Sequence, residues 1–169
     1  SMPGNAEPVA PSGGVQTDQP SDGSVEELDS EAFAEPGLVE EDVAGSVVTI
    51  EEEIAEGQRV LQTVYFEFDS YALSGEALRA IEENARWLSL HPALRVVIEG
   101  HCDERGTIEY NIDLSAKRAK AVRDHLTRLG LLASRLETIP YGEEKPVDAA
   151  RSESAWAKNR RAEFVLEKP

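Results

Sequence analysis

The chain has 169 residues, with 33 Asp and Glu against 17 Lys and Arg, a formal net charge of −16 and a pI of about 4.5. That balance argues against a nucleic-acid binder, because neutralising phosphates needs a basic face. No run approaches the roughly 18 apolar residues of a membrane span, and one cysteine excludes an internal disulfide and a cysteine-rich zinc site.

The charge is unevenly placed. Residues 1–57 hold 15 acids and no Lys or Arg, five prolines and one aromatic, Phe33. Ser1-Met2 reads as an expression remnant, and no basic or apolar secretory segment follows it. Such a composition cannot bury enough apolar surface to offset the entropy of ordering, so residues 1–57 are predicted to be a disordered acidic linker, with a weak helix around Val47–Glu56. As a coil it would span about 40 Å, and about 170 Å when extended. Residues 58–169 are nearly charge-balanced and hold both tryptophans and all four tyrosines. They are predicted to form one domain with its own core.

Within the domain, Val64–Phe68 alternates Val64, Phe66 and Phe68 on one face, as a strand does. Ser74 is placed to cap a helix over 75–90, with Leu78, Ile81, Ala85 and Leu88 as its apolar stripe and Pro92 forbidding continuation. Arg95–Glu99 is apolar at its centre and reads as a strand buried on both faces. His101–Thr107 is a polar turn. A long helix follows over 108–129, with Gly130 at its C′ position. Ser134–Glu137 fits a capping box on a short helical turn. Leu136–Tyr141 reads as a strand that Pro140 makes an edge or a bulge. A polar loop over 143–152, a short helix over 154–159 and a strand over 161–166 complete the chain. This succession predicts an α+β fold, a β/α/β/α/β sandwich with helices packed on a mixed four-stranded sheet.

The chemistry legible in this pattern is sparse. His101 and Cys102 are neighbours at a strand end and would point to opposite faces, so they do not form a cysteine–histidine nucleophile. Cys102 reads as a small apolar residue filling that end. His91, His101 and His125 lack ligand spacing for a metal, and His125 reads as a partly buried structural residue. No phosphate loop occurs. Arg118 is more telling. It lies on the inward stripe of the long helix with Leu114, Val122, Leu126 and Leu129, Ala121 beside it, where a cation must be paired. Two readings stand. Arg118 pairs internally with Asp103 or Glu99, or Asp103 and Arg118 flank a pocket, one for an ammonium and one for a carboxylate.

Several runs then converge. They are Val64-Tyr65-Phe66-Glu67-Phe68-Asp69, Val97 through Thr107 (with Gly-His-Cys-Asp-Glu-Arg-Gly-Thr at its end), Glu109-Tyr110-Asn111, Leu114, Arg118-Ala119 and Ala121-Val122. Tyr141 through Pro146 and Lys158 through Ala162 follow. In this order they resemble the OmpA-like peptidoglycan-binding family, most of all its peptidoglycan-associated lipoprotein (Pal) branch. Ser115 stands where that branch usually has glycine, Glu67 where aspartate is common, and Pro140 interrupts the strand before Tyr141-Gly142.

The resemblance implies binding without catalysis. Its ligand is the peptidoglycan stem peptide, gripped through meso-diaminopimelate. Asp103 would accept the ammonium and Arg118 would hold the carboxylate as a two-pronged donor. Asp69, Arg105, Thr107, Asn111, Leu114 and Arg160 would line the same mouth, with one of Arg160 and Arg161 structural or at the rim. No metal or cofactor is implied. The resemblance further implies an outer-membrane lipid anchor through an N-terminal cysteine, expected ahead of the residues given, and a TolB-like periplasmic propeller as partner within the Tol-Pal system. Other roles weighed are a stator or secretion component and a wall-acting hydrolase. The last would need a zinc trio, a cysteine with a facing base or two carboxylates across a cleft, and none is legible.

Overall fold

The computed structural model describes residues 47–169. The predicted linker up to residue 46 lies outside the described residues. The elements are α1 (Ile50–Val60), β1 (Val64–Tyr65), α2 (Gly75–Ser89), β2 (Arg95–His101), α3 (Ile108–Arg128), a 3₁₀ turn (Ala133–Arg135), β3 (Leu136–Gly142), α4 (Glu153–Asn159) and β4 (Arg161–Glu167). The strands form one sheet in the order β1-β4-β2-β3. The β2–β3 pair is parallel, and the other two pairings are antiparallel. This is the mixed four-stranded α+β sheet that the sequence predicts.

Alternation along the strands sends Val96 and Ile98 of β2, and Ala162, Phe164 and Leu166 of β4, to one face. There they meet Ala77, Ile81, Ala85 and Leu88 of α2 and Ala119, Val122 and Leu126 of α3. Burying each larger aliphatic contributes about 1.5–3 kcal/mol, so this layer supplies most of the driving force. The helices begin where short polar side chains cap them. Ser74 accepts from Ala77 N, Thr107 from Tyr110 N and Ser152 from Ala155 N. Gly130, at φ 107°, ends α3 in the left-handed conformation. α3 lies close on β2 because Gly100 has no side chain. A Cβ there would stand 1.9 Å from the Ser115 carbonyl oxygen.

Four local expectations change. First, the boundary expected at 57/58 falls inside α1, and the compact unit starts at Val48. α1 opens on a capping box between Thr49 and Glu52, packs Ile50 and Ile54 against the core, and presses Gly57 onto Leu166 and Trp87. Its Gln58 amide pairs the edge of β4 beyond the short β1. Nε2 donates to Phe164 O at 3.0 Å, and Oε1 accepts from Leu166 N at 2.6 Å. Second, the strand predicted over 64–68 pairs only at Val64 and Tyr65, and Phe68 is 55% exposed. Arg118 pulls the carbonyls of Glu67 and Ser70 off the sheet line. Third, Ser134 forms no capping box, and the 3₁₀ turn lacks a side-chain cap. Arg135 is used elsewhere, donating to the carbonyls of Leu88, His91 and Leu94 at the end of α2 and beyond. Fourth, Leu129 is exposed at the end of α3, and Ser115 and Ala119 fill the inward stripe instead. Pro140 sits on the edge strand β3, beside the bulge at Gly100/His101.

Glu51 of α1 pairs with Lys168 just past β4, at 3.0 Å. Because β4 runs antiparallel to β2, the start of α1 lies at the Arg95 end of β2, about 25 Å of strand away from Asp103.

Candidate functional site

Three segments meet at the C-terminal end of β2. They are the turn Cys102–Thr107, the first turns of α3, and the loop between β1 and α2. Together they enclose a cavity of about 210 Å³ lined by Asp69, Asp103, Arg105, Asn111, Leu114 and Arg118, and also by Phe68, Cys102, Gly106 and Tyr110.

Arg118 anchors the construction. It is almost wholly buried, with its guanidinium over the Phe66 ring. Nε donates to Ser70 O at 2.8 Å, Nη1 to His101 O at 2.9 Å and Nη2 to Glu67 O at 3.0 Å. It pairs with neither Asp103 nor Glu99. Three backbone carbonyls hold it instead, and they engage three of its five N–H groups. Burial draws its pKa below the ordinary guanidinium value, yet an arginine stays charged in a protein.

Asp103 faces the same cavity and is engaged from one side by Arg105. The Arg105 backbone N–H and Nε both donate to Oδ1, at 3.0 and 3.2 Å, and Nη2 donates to Oδ2 at 2.8 Å. Arg160 Nη1 stands 3.6 Å from Oδ2. Burial pushes the Asp103 carboxyl up, but the hydrogen bonds from Arg105 and the charges of both arginines outweigh it, and its pKa lies below the ordinary value. The Arg105 guanidinium lies over two aromatic rings, 4.0 Å from the centroid of Phe68 and 4.1 Å from that of Trp156. Asp69, at φ 55°, holds the left-handed conformation that L-residues seldom adopt, and it accepts a hydrogen bond from the Tyr110 hydroxyl. Asn111 ties the floor together, donating to Asp103 O at 3.3 Å and to Glu143 Oε1 at 2.8 Å.

The cavity thus carries acids and guanidinium groups within one small volume, a distribution suited to a ligand that bears both signs. Of the eight residues expected at the mouth, six line it. Thr107 caps α3 with its hydroxyl, and Arg160 lies behind Asp103, donating to Phe66 O and Glu153. Arg161 sits apart, where it pairs with Glu163 and donates to Lys145 O. Phe68 and Trp156 left no signal in the sequence, because their roles arise only where three separate segments converge.

Cys102 lies in the wall with its thiol donating to Asn111 O at 3.3 Å, and burial pushes its pKa up to about 11. A thiol so protonated is a poor nucleophile, in accord with its reading as packing. Elsewhere, Glu99, His101 and Glu163 bring one potential ligand atom each within 4.8 Å of one another. They converge from two paired strands, so no spacing reveals them. Their groups are already engaged, His101 Nε2 with Glu99 at 3.1 Å and Glu163 with Arg161. Among the described residues, no helix is long and apolar enough to cross a membrane.

The chain is 47% identical over 103 residues to the peptidoglycan-associated lipoprotein of Agrobacterium fabrum, covering 61% of this chain and 58% of that one. It is 46% identical over 109 residues to that of Haemophilus influenzae, covering 64% and 71%. The match thus spans little more than half the length of the first relative. The crystal structure of the peptidoglycan-associated lipoprotein from Burkholderia pseudomallei superposes with a TM-score of 0.61 at 42% identity, over 63% of this chain and 90% of that one. The OmpA family profile matches residues 65–160, from the second residue of β1 to the arginine behind Asp103. That is more than half of the sequence and includes every residue of the cavity wall, and the chain belongs to the OmpA family.

Proposed function

We propose that this chain is a non-catalytic binder of peptidoglycan, gripping the stem peptide through the doubly charged end of meso-diaminopimelate. The carrying observation is the convergence of Asp103 and Arg118 on one 210 Å³ cavity. Arg118, fixed by three carbonyls, offers its two remaining N–H groups to a carboxylate as a preorganised fork. Asp103 takes the ammonium. Asp69, Arg105, Asn111 and Leu114 shape the mouth, and Thr107 and Arg160 support it from behind. The names of the relatives, peptidoglycan-associated lipoproteins, support the choice of ligand.

On this reading, the acidic stretch ahead of Val48 serves as the linker to a lipid anchor in the outer membrane, and the domain holds the wall on the periplasmic side. A TolB-like propeller is the proposed protein partner, within a Tol-Pal assembly that keeps the envelope intact. The pole at which α1 begins lies away from the cavity.

Titration calorimetry with a diaminopimelate tripeptide tests the proposal. Asp103→Asn and Arg118→Lys should each weaken binding by about 1–3 kcal/mol, the range for a hydrogen bond to a charged group. Unchanged affinity in both folded variants would reject the cavity as the site.

A further inference from the structure

Asp103 is not vacant. Three donors of Arg105 already fill one side of its carboxylate, at 2.8 to 3.2 Å. The guanidinium that supplies two of them is not simply a rim charge. Its Cζ lies over both the Phe68 and the Trp156 ring, 4.0 and 4.1 Å from their centroids. Trp156 is itself fixed, its indole N–H donating to Glu104 Oε2 at 3.3 Å, and Glu104 pairs with Arg151 at 2.8 Å. The arginine side chain is nonetheless 30% exposed, so it can leave toward water without unpacking the core.

Resting on the reading of the cavity as an ammonium and carboxylate site, we propose that Arg105 is an internal stand-in for the ligand's ammonium and sets the specificity of the site. In the free protein its guanidinium neutralises Asp103. An incoming ammonium displaces Nε and Nη2 from the carboxylate, and the guanidinium turns outward. Binding is therefore a cation exchange. A ligand with a carboxylate alone can reach Arg118 but cannot release Arg105, so the ammonium becomes obligatory. The exchange also keeps affinity moderate, because each new contact to Asp103 replaces an existing one. A site populated in its open form for about one tenth of the time loses about tenfold in apparent affinity.

This sets Arg105 apart from Asp103 and Arg118, because removing it should tighten binding. Tripeptide titrations of the full chain, followed by calorimetry and by Trp156 emission, separate the cases. The wild type should bind with a change in emission as Arg105 leaves the indole face, and Arg105→Ala should bind about tenfold tighter with that change abolished. A tripeptide acetylated on the side-chain amine should leave wild-type emission unchanged. If the wild type binds and Arg105→Ala binds equally or more weakly, the exchange is overturned while the cavity reading stands. If neither protein binds the tripeptide, the cavity reading itself fails, and the exchange with it.

Discussion

Arg118 joins fold and cavity in one side chain. Its guanidinium gathers the carbonyls of Glu67, Ser70 and His101 from two segments and so draws the β1–α2 loop over the end of β2. Replacing it by Ala strands three carbonyls around a void. Arg118→Ala should destabilise the domain by about 3 kcal/mol, whereas Arg118→Lys should cost less, because it keeps the charge while losing the fork. Thermal melts of the two variants decide this. A cation on an apolar helix stripe was visible in the sequence, but its partners were not, since backbone carbonyls leave no trace in residue identity.

Acid sensitivity also belongs to single residues. The folded pKa of Asp103 lies below its ordinary 3.8, so its stabilisation is present above that value and is lost as pH falls through the folded pKa. His101 is lowered from 6.5, first by burial and then by the charge of Arg161. A histidine depressed in the fold stabilises the protein above 6.5, and that contribution declines as pH falls below it. Stability should therefore decline in two stages, below about pH 6.5 and again below about pH 4. Asp103→Asn should flatten only the second. A variant whose melting temperature falls as steeply as the wild type below pH 4 would contradict this assignment.

At the scale of elements, the seat of α3 on β2 rests on Gly100. A Cβ there would meet the Ser115 backbone, which cannot swing aside as a side chain could. Gly100→Ala should cost about 3 kcal/mol or more, by forcing apart two elements that carry opposite walls of the cavity. It should weaken tripeptide binding even at temperatures where the domain stays folded. Strand and helix order were legible because an apolar run marks β2, a period-two pattern survives in β4, and period-3.6 stripes survive in α2 and α3. α1 was harder to read. Four of its eleven residues are acidic, and its packing runs through two isoleucines, a glycine and the Gln58 amide, which only the free edge of β4 makes meaningful. Of the cavity, Asp103 and Arg118 were readable as a pair of opposite sign. The aromatic contact of Arg105 was not, because Phe68 had been expected on a strand that ends three residues earlier.

For the whole molecule, the acidic stretch and the folded unit predict different responses to truncation. Removing residues 1–46 should leave the melting temperature unchanged, because among the described residues the packing on the core starts at Ile50. Removing residues 1–60 should lower it by about 10 °C or more, since Ile50, Ile54 and the Gln58 bridge to β4 go together. Equal melting temperatures for the two truncations would mean that α1 is dispensable and that the unit begins nearer residue 58.

The claim on which the functional account depends is that one cavity clasps both charged ends of a single ligand. A crystal of the protein soaked with the diaminopimelate tripeptide tests it most directly. The side-chain carboxylate should lie about 3 Å from the Nη atoms of Arg118, and the ammonium about 3 Å from Asp103. A tripeptide bound elsewhere on the domain, or one that reaches the cavity by neither charged group, would contradict the account.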